Sequence, residues 1–385
     1  MSALPELTLH RRPIENFAAI GLMGPGGQIE HRHSLPPTRI RLPPIEAGRA
    51  FLEQWQLREL PDQDCWRADH YTSYAPPLFL IHQALVQSSA GIVAVGDQVI
   101  AETLGQTNPA LHGYRNLARG IGLPHRPIRR LAGTHISLLA AGEGNYFHSL
   151  LDGLARIMAV PENYQAAATG LLVPKGGARQ GEVLALLDLM PSLRLIEVGR
   201  EETLLVETLL LPLSVTGESS FHPVVSDFYR TITTNVSPPR GRLPRRIYID
   251  RRASPARPLT NESAVIAALT RYGFEPVRLE SMSVADQIRL FRGAEAVVAP
   301  HGAALTNIGF CRPGTLVIEL LMDAYCHWCF RHLAGLMQLR YDCVLGRARK
   351  PWAELDLHFH ATRWEISVNH VAAAVAQHLQ QAAAA

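Results

Sequence analysis

Charge and aromatic rings are both scarce: 18% of the 385 residues are Asp, Glu, Lys or Arg, and 7% are Phe, Trp or Tyr. The 37 basic residues exceed the 34 acidic ones by only three. That excess is spread along the chain, so no one-sided positive field points to a nucleic-acid partner. Five cysteines, at 65, 311, 326, 329 and 343, are odd in number and irregular in spacing. They exclude the disulfide framework of a small secreted domain and fit a reducing compartment. No apolar run reaches the roughly 18 residues of a membrane-spanning helix. The first twenty residues carry acids and prolines and do not read as a signal peptide. The expectation is a cytoplasmic chain, with peripheral association at the inner face of the membrane left open.

Several motifs are missing as well. Without a Gly-x-x-x-x-Gly-Lys-Ser/Thr loop the ordinary ATPase reading falls, and without Gly-x-Gly-x-x-Gly after the first strand of either half dehydrogenase chemistry falls too. No Asp-x-Asp motif is expected to hold a divalent ion against a nucleotide-sugar diphosphate, so neither a metal nor a cofactor is expected.

What the chain does have is apolar content, 47%, enough for two α/β domains. Residues 1–80 read as an irregular N-terminal extension, with seven prolines before residue 48. From Ala84 to Glu102, short β-rich runs broken at Gly91 and Gly96-Asp97 predict a small accessory meander of hairpins. From Thr134, short apolar runs alternate with amphipathic ones, which implies parallel βαβ units over residues 81–240. Thr203 to Val215 is apolar enough for a buried strand pair. The Pro-, Gly- and Arg-rich stretch 237–244 reads as a linker. Alternation restarts over 241–350 as a second doubly wound domain, and residues 351–385 form a tail with a closing helix.

Open parallel sheets bind ligands beyond the carboxyl ends of their strands. There, after Ala296–Ala299 and Pro300, stand His301, Gly302, Ala303 and Ala304. Small residues at a helix start let a diphosphate approach free N–H groups; the plain alternative is a tight turn packed by small residues. Arg251 and Arg252 follow the strand at 247–250 and can fork onto phosphate oxygens, or can be solvated surface arginines. Glu319 closes the strand 316–318 and can accept ribose hydroxyls or pair with an arginine. Asn145, His148 and Asp152 fall on one face of a helix starting near 145, where Asp152 in the first place, and His148 in the second, can take a proton from a sugar hydroxyl, or His148 can be a core residue. Cys326-x-x-Cys329 and His358-Phe359-His360 lack a second ligand pair at zinc spacing.

The segments Asn145–His148 with Asp152, Arg251, and His301–Asn307 through Phe310, Pro313-Gly314 and Glu319 resemble glycosyltransferase family 61. The resemblance runs from about Ala84 to Gly346. It implies a GT-B fold, two Rossmann-like domains with an interdomain cleft, beside the small β-rich N-terminal region. It also implies an inverting, metal-independent transfer from a nucleotide-sugar donor, usually a UDP-sugar, to a glycan acceptor, as in bacterial capsular polysaccharide synthesis. Arg251, His301, Gly302, Ala303, Asn307 and Glu319 then become donor-site residues, while Asn145, His148 and Asp152 match the family's N-terminal-domain motif. Many relatives carry an aromatic where this chain has Ser149. A nucleotide-sugar epimerase or hydrolase, or a non-catalytic glycan- or nucleotide-binding subunit, uses the same architecture.

Overall fold

The apolar run beginning at Thr203 forms one ten-residue strand, Thr203–Pro212, in place of the expected pair. It is central to its sheet, antiparallel to Pro77–Gln87 on one side and parallel to Ile128–Ser137 on the other. A strand with neighbours at both edges can carry apolar residues on both faces. The coordinates are a computed structural model and describe residues 10–16, 22–23, 27–49, 66–87, 90–104, 128–142, 144–189, 191, 193–239, 241–349 and 362–384.

The chain forms two compact units, Met1–Thr38 with Ser73–Ile232, and Arg39–Thr72 with Thr233–Ala385. Residues 1–80 are less irregular than their prolines imply. They hold β1 (His10–Arg12), β2 (Ile29–Ser34), β3 (Arg39–Arg41) and β4 (His70–Thr72), and β5 begins at Pro77.

In the first unit the strands are β5 (Pro77–Gln87), β6 (Ile92–Val95), β7 (Gln98–Ile100), β8 (Ile128–Ser137), β9 (Gly170–Pro174), β10 (Arg194–Val198) and β11 (Thr203–Pro212). Their order is β1-β7-β6-β5-β11-β8-β9-β10, with β2 also on β5. The expected accessory meander β5-β6-β7 is thus continuous with the parallel run β11-β8-β9-β10 through the antiparallel β5–β11 pair, and the sheet is mixed. Helices α1 (Glu162–Ala167), α2 (Ala178–Leu186) and α3 (Val224–Thr234) belong to the connections around it.

The second unit has β12 (Arg246–Ile249), β13 (Glu275–Val277), β14 (Ala296–Pro300), β15 (Leu316–Met322), β16 (Arg340–Ala348) and β17 (Trp364–Glu365), ordered β13-β12-β14-β15-β16-β17. All pairs are parallel except β16–β17. Every residue of β14 and β15 is buried, so both sheet faces are covered, as a parallel sheet requires. One layer is α4 (Glu262–Thr270) with α7 (Val368–Ala384), whose Val265, Leu269, Val371 and Val375 pack on Tyr248, Val298 and Ile318. The crossovers to β14 and β16 contain α5 (Val284–Gly293) and α6 (Cys329–Leu336).

Local chemistry sets the ends of these helices. Ser283 accepts the Asp286 N–H at 3.1 Å at the start of α5, a capping bond worth about 1 kcal/mol. Gly273, at φ 77°, stops the chain after α4 in the left-handed conformation that glycine tolerates.

Buried polar groups explain why residues 39–72 join this unit. Arg331 on α6 donates to the carbonyls of Pro43, Trp66 and Ala68. Asp342 on β16, fully buried, accepts from Ala47 N, Gly48 N, Cys343 N and His378 Nε2 at 2.7–2.9 Å. A buried carboxylate is tolerated when its lone pairs are filled in this way.

Candidate active site

In the second unit β12 and β14 are neighbours, but the chain runs from β12 outward to β13 and from β14 outward to β15. Loops leaving the carboxyl ends at such a reversal diverge and open a crevice. Arg251 follows β12 there, and His301 and Gly302 follow β14.

The Arg251 guanidinium reaches the β14 loop. Nη1 donates to the His301 carbonyl, and Nη2 donates to Ser254 Oγ at 3.2 Å and the Ala256 carbonyl at 3.3 Å. All three acceptors are uncharged, so the positive charge is held in place without a carboxylate on the guanidinium. Burial first, and the neighbouring Arg257 second, lower its pKa to about 10, and it remains a cation at neutral pH. Five N–H bonds on a guanidinium leave it capacity for an incoming anion.

Gly302 leaves room for that guanidinium. Its φ of 164° is extended and open to any residue, but a Cβ there would lie 2.5 Å from Arg251 Nη1 and 2.8 Å from Cζ. Ala303 and Ala304 open the 3₁₀ helix Ala303–Phe310, so their N–H groups stand at a helix N-terminus, where an anion is favoured.

His301 is buried and aimed by a proton line: Nδ1 lies 2.5 Å from Glu319 Oε1, and Glu319 Oε2 accepts the Tyr341 hydroxyl at 2.5 Å. Burial raises Glu319 to about 8. Burial, Arg257 and Arg251 hold His301 well below the ordinary imidazole value. Near neutrality the pair therefore shares one proton between Nδ1 and Oε1. Whichever atom carries it, the other imidazole nitrogen, Nε2, keeps a hydrogen and is a donor. Glu319 does not close its strand as expected but lies in the middle of β15, fully buried, with its oxygens engaged by His301 and Tyr341.

Two further sequence candidates are engaged elsewhere. Arg252 forks onto Asp250, with Nε–Oδ1 at 3.0 Å and Nη2–Oδ2 at 2.8 Å, and Arg278 shares that carboxylate. Arg252 and then Arg278 hold Asp250 well below the usual carboxylate range. Asn307 is buried and donates to Gln287 Oε1 on α5 and to the Ala304 carbonyl, so it pins the 3₁₀ helix. Residues not singled out in the sequence complete the site. Tyr341 anchors Glu319, and Arg257 lies with its guanidinium 4.9 Å from the centre of the Tyr325 ring. Arginine density in 251–257 was the only sequence signal for Arg257; nothing in the run Arg340-Tyr341-Asp342 marked Tyr341.

In the first unit the segment expected as an α-helix is a π-helical turn, His148–Gly153, followed by 3₁₀ helix, Leu154–Ala159. Gly153 at the junction lets the turn approach β8's exit, where a Cβ would meet the Leu138 carbonyl at 3.2 Å. Residues four apart on a helix are neighbours, and His148 Nδ1 lies 2.6 Å from Asp152 Oδ2. Asp152 Oδ1 accepts the Thr216 hydroxyl at 2.5 Å, and Thr216 Oγ1 lies 2.8 Å from Ser214 Oγ. Both oxygens of Asp152 are thus in use. Asn145 does not join this pair; its side-chain oxygen accepts the Phe147 N–H at 2.9 Å, at the helix start. Gly142, at φ 85°, packs on the imidazole, where a Cβ would lie 3.0 Å from Cδ2. Arg156, buried beside Asp152, donates to the carbonyls of Leu139 and Pro212, and burial lowers its pKa to about 10. Thr216 had the signal of standing just past a strand end, but β11 was read as two strands.

Among the described residues no group of three or more His, Cys, Asp or Glu is placed to hold a metal ion. Cys326 donates to the Met322 carbonyl at 3.3 Å, and burial raises its thiol. His327 Nδ1 accepts the Cys329 N–H at 3.2 Å. Cys65 and His358-Phe359-His360 lie outside the described residues, and so does Asp62-Gln63-Asp64, an Asp-x-Asp that the sequence contains against expectation.

Residues 146–318 match the family model Glycosyltransferase 61. The matched span runs from the residue before Phe147-His148 to the residue before Glu319, and so contains the His148–Asp152 pair, Arg251 and the His301 loop. It supports assignment to that family and a sugar-transferring activity. No curated protein matches the chain. Among solved structures, a flavo di-iron protein mutant from Thermotoga maritima is similar at a TM-score of 0.21 and 12% identity, over 55% of this chain and 49% of that one. The chain spans about half of that protein's length, and a likeness this low carries no argument.

Proposed function

We propose that the chain is an inverting, metal-independent glycosyltransferase of the GT-B class, moving a hexose or pentose from a UDP-sugar to a glycan hydroxyl in capsular or other cell-surface polysaccharide synthesis. The observation that carries the donor reading is the half-buried Arg251 cation, whose side chain is bound only to neutral acceptors at the β12/β14 switch point. A diphosphate supplies the missing negative charge. Arg251, the His301 Nε2–H and the N–H groups of Ala303 and Ala304 are its donors, standing where a cation would stand in a metal-dependent site.

For the acceptor, the proton line of the first unit favours His148 as the base. Asp152 fixes the imidazole with Nδ1–H toward itself, and Thr216 fixes Asp152, so the lone pair of Nε2 receives the hydroxyl proton. The acceptor oxygen bonds to the anomeric carbon from the face opposite the leaving group. The bond from that carbon to the phosphate oxygen breaks, and its electron pair leaves on the diphosphate. A cytoplasmic reaction, which the irregular cysteine spacing supports, belongs to the same reading.

The test combines UDP calorimetry with transfer rates on an acceptor panel. Arg251→Ala is expected to weaken UDP. His148→Ala is expected to leave UDP affinity intact and to lower transfer by about 10²- to 10⁴-fold, the usual contribution of a general base. Full transfer by His148→Ala removes the base assignment; no UDP binding by the parent chain removes the donor assignment.

A further inference from the structure

Beyond β15 the chain passes through Asp323–Trp328 before α6, and this short span holds Tyr325, His327 and Trp328 in a protein with few aromatics. Their rings form a column. The Arg257 guanidinium lies over Tyr325 at 4.9 Å, Tyr325 and His327 are stacked at 6.4 Å and 29°, and His327 stacks on Trp328 at 4.6 Å and 6°. Tyr325, His327 and Trp328 are all only half-buried.

The column begins beside the anion donors. His301 is 5.2 Å from the Tyr325 ring centre and 6.4 Å from that of His327. We propose that Tyr325 and His327, braced by Arg257, are the seat of the donor's nucleobase, an inference that rests on the nucleotide-sugar reading above.

Three observations support a flat heterocycle as the occupant. The Tyr325 and His327 rings have centres 6.4 Å apart and planes 29° from parallel, so the two present similarly oriented faces to a flat ring. Next, sugar hydroxyls need carboxylate or amide acceptors, and the nearest carboxylates are engaged. Glu319 holds His301 and Tyr341, and Asp323 Oδ1 accepts the Ala348 N–H at 2.7 Å. Aromatic faces and a guanidinium suit a base, since every base has a π-face.

Finally, Arg257 adopts φ 49°, the left-handed region that costs a side-chain-bearing residue energy. Its carbonyl accepts the Trp364 indole N–H at 2.9 Å, which helps hold that backbone and so the guanidinium over Tyr325. Strain of this kind gathers at ligand clamps.

The test compares UDP with inorganic pyrophosphate on the full chain by calorimetry. Tyr325→Leu keeps apolar volume, and His327→Asn keeps an acceptor for the Cys329 N–H while removing the ring; parent-like circular dichroism and melting check that each is folded. Each variant is expected to weaken UDP by about 10-fold or more, the loss of one stacking contact, and to leave pyrophosphate within about twofold of the parent. In the parent, UDP but not pyrophosphate is expected to quench Trp328 fluorescence, which Trp328→Phe identifies. Unchanged UDP affinity in both variants, or equal losses for the two ligands, overturns the base seat while leaving the donor reading standing. Loss of UDP-sugar affinity with no loss of UDP affinity also overturns it, because the column then holds the sugar. A parent that binds neither ligand ends the donor reading itself, and this inference with it.

Discussion

Gly302→Ala isolates the contact on which the donor site rests. The substitution asks nothing of the backbone, since φ is 164°. It asks for space that Arg251 occupies: the new Cβ would sit 2.5 Å from Nη1, whereas ordinary contact begins at 3.4 Å, so the guanidinium must retreat by about 0.9 Å, the difference of the two. The bonds to Ser254 and Ala256, already 3.2 and 3.3 Å, and the bond to the His301 carbonyl then stretch or break. A hydrogen bond to a charged group contributes about 1.5–3 kcal/mol. A loss of about 2 kcal/mol in UDP binding, roughly 30-fold in Kd, is therefore expected from calorimetry. Arg251→Ala alone should show a loss at least as large. In the double variant the methyl enters the vacated space, so the two losses should not add, and the cycle should show a coupling of about 1–2 kcal/mol. Additive losses, or Gly302→Ala with parental UDP affinity, would refute the claim that Gly302 serves Arg251.

Two further outcomes follow from buried protons and buried carboxylates. UDP affinity should hold below pH 8 and fall as pH rises through about 8. The His301–Glu319 pair gives up its shared proton there, so Nε2 changes from donor to acceptor; Glu319→Gln should bind UDP without that transition, and a parental curve that is flat from pH 7 to 9 contradicts it. Asp342→Asn, which turns an amide N–H toward groups that are themselves donors, should lower the denaturant stability of the second unit by about 3 kcal/mol with UDP affinity unchanged; a change below about 1 kcal/mol excludes the buried anchor.

Sequence reading reached the second unit because its signals are local. Strand 296–300 is apolar throughout and strand 316–322 is apolar except at Glu319, glycine ends α4, and His301-Gly302 follows a strand, so periodicity and punctuation fix the elements and most strand-end residues. The sheet order and the partners of each candidate were not legible, because they are set by residues far apart in sequence. Glu319 reads as the end of a strand, yet it lies mid-strand, and its partners are Tyr341, one strand over, and His301, eighteen residues earlier. Asp152 illustrates the same limit in the first unit. A carboxylate one turn from a histidine reads as a base until Thr216, 64 residues on, is seen to fill its second oxygen. The mixed sheet escaped notice for a related reason: an apolar run of ten or more residues is equally two hairpin strands or one central strand, and only the pairing of Thr203–Pro212 with both Pro77–Gln87 and Ile128–Ser137 decides between them. In both units the residue types at the site were visible as strand-end or helix-face positions, whereas the assignment of donor, acceptor and anchor among them required the long-range hydrogen bonds. The chemistry proposed here therefore turns on Thr216 and Tyr341, two hydroxyls without a motif, as much as on the histidines they hold in place.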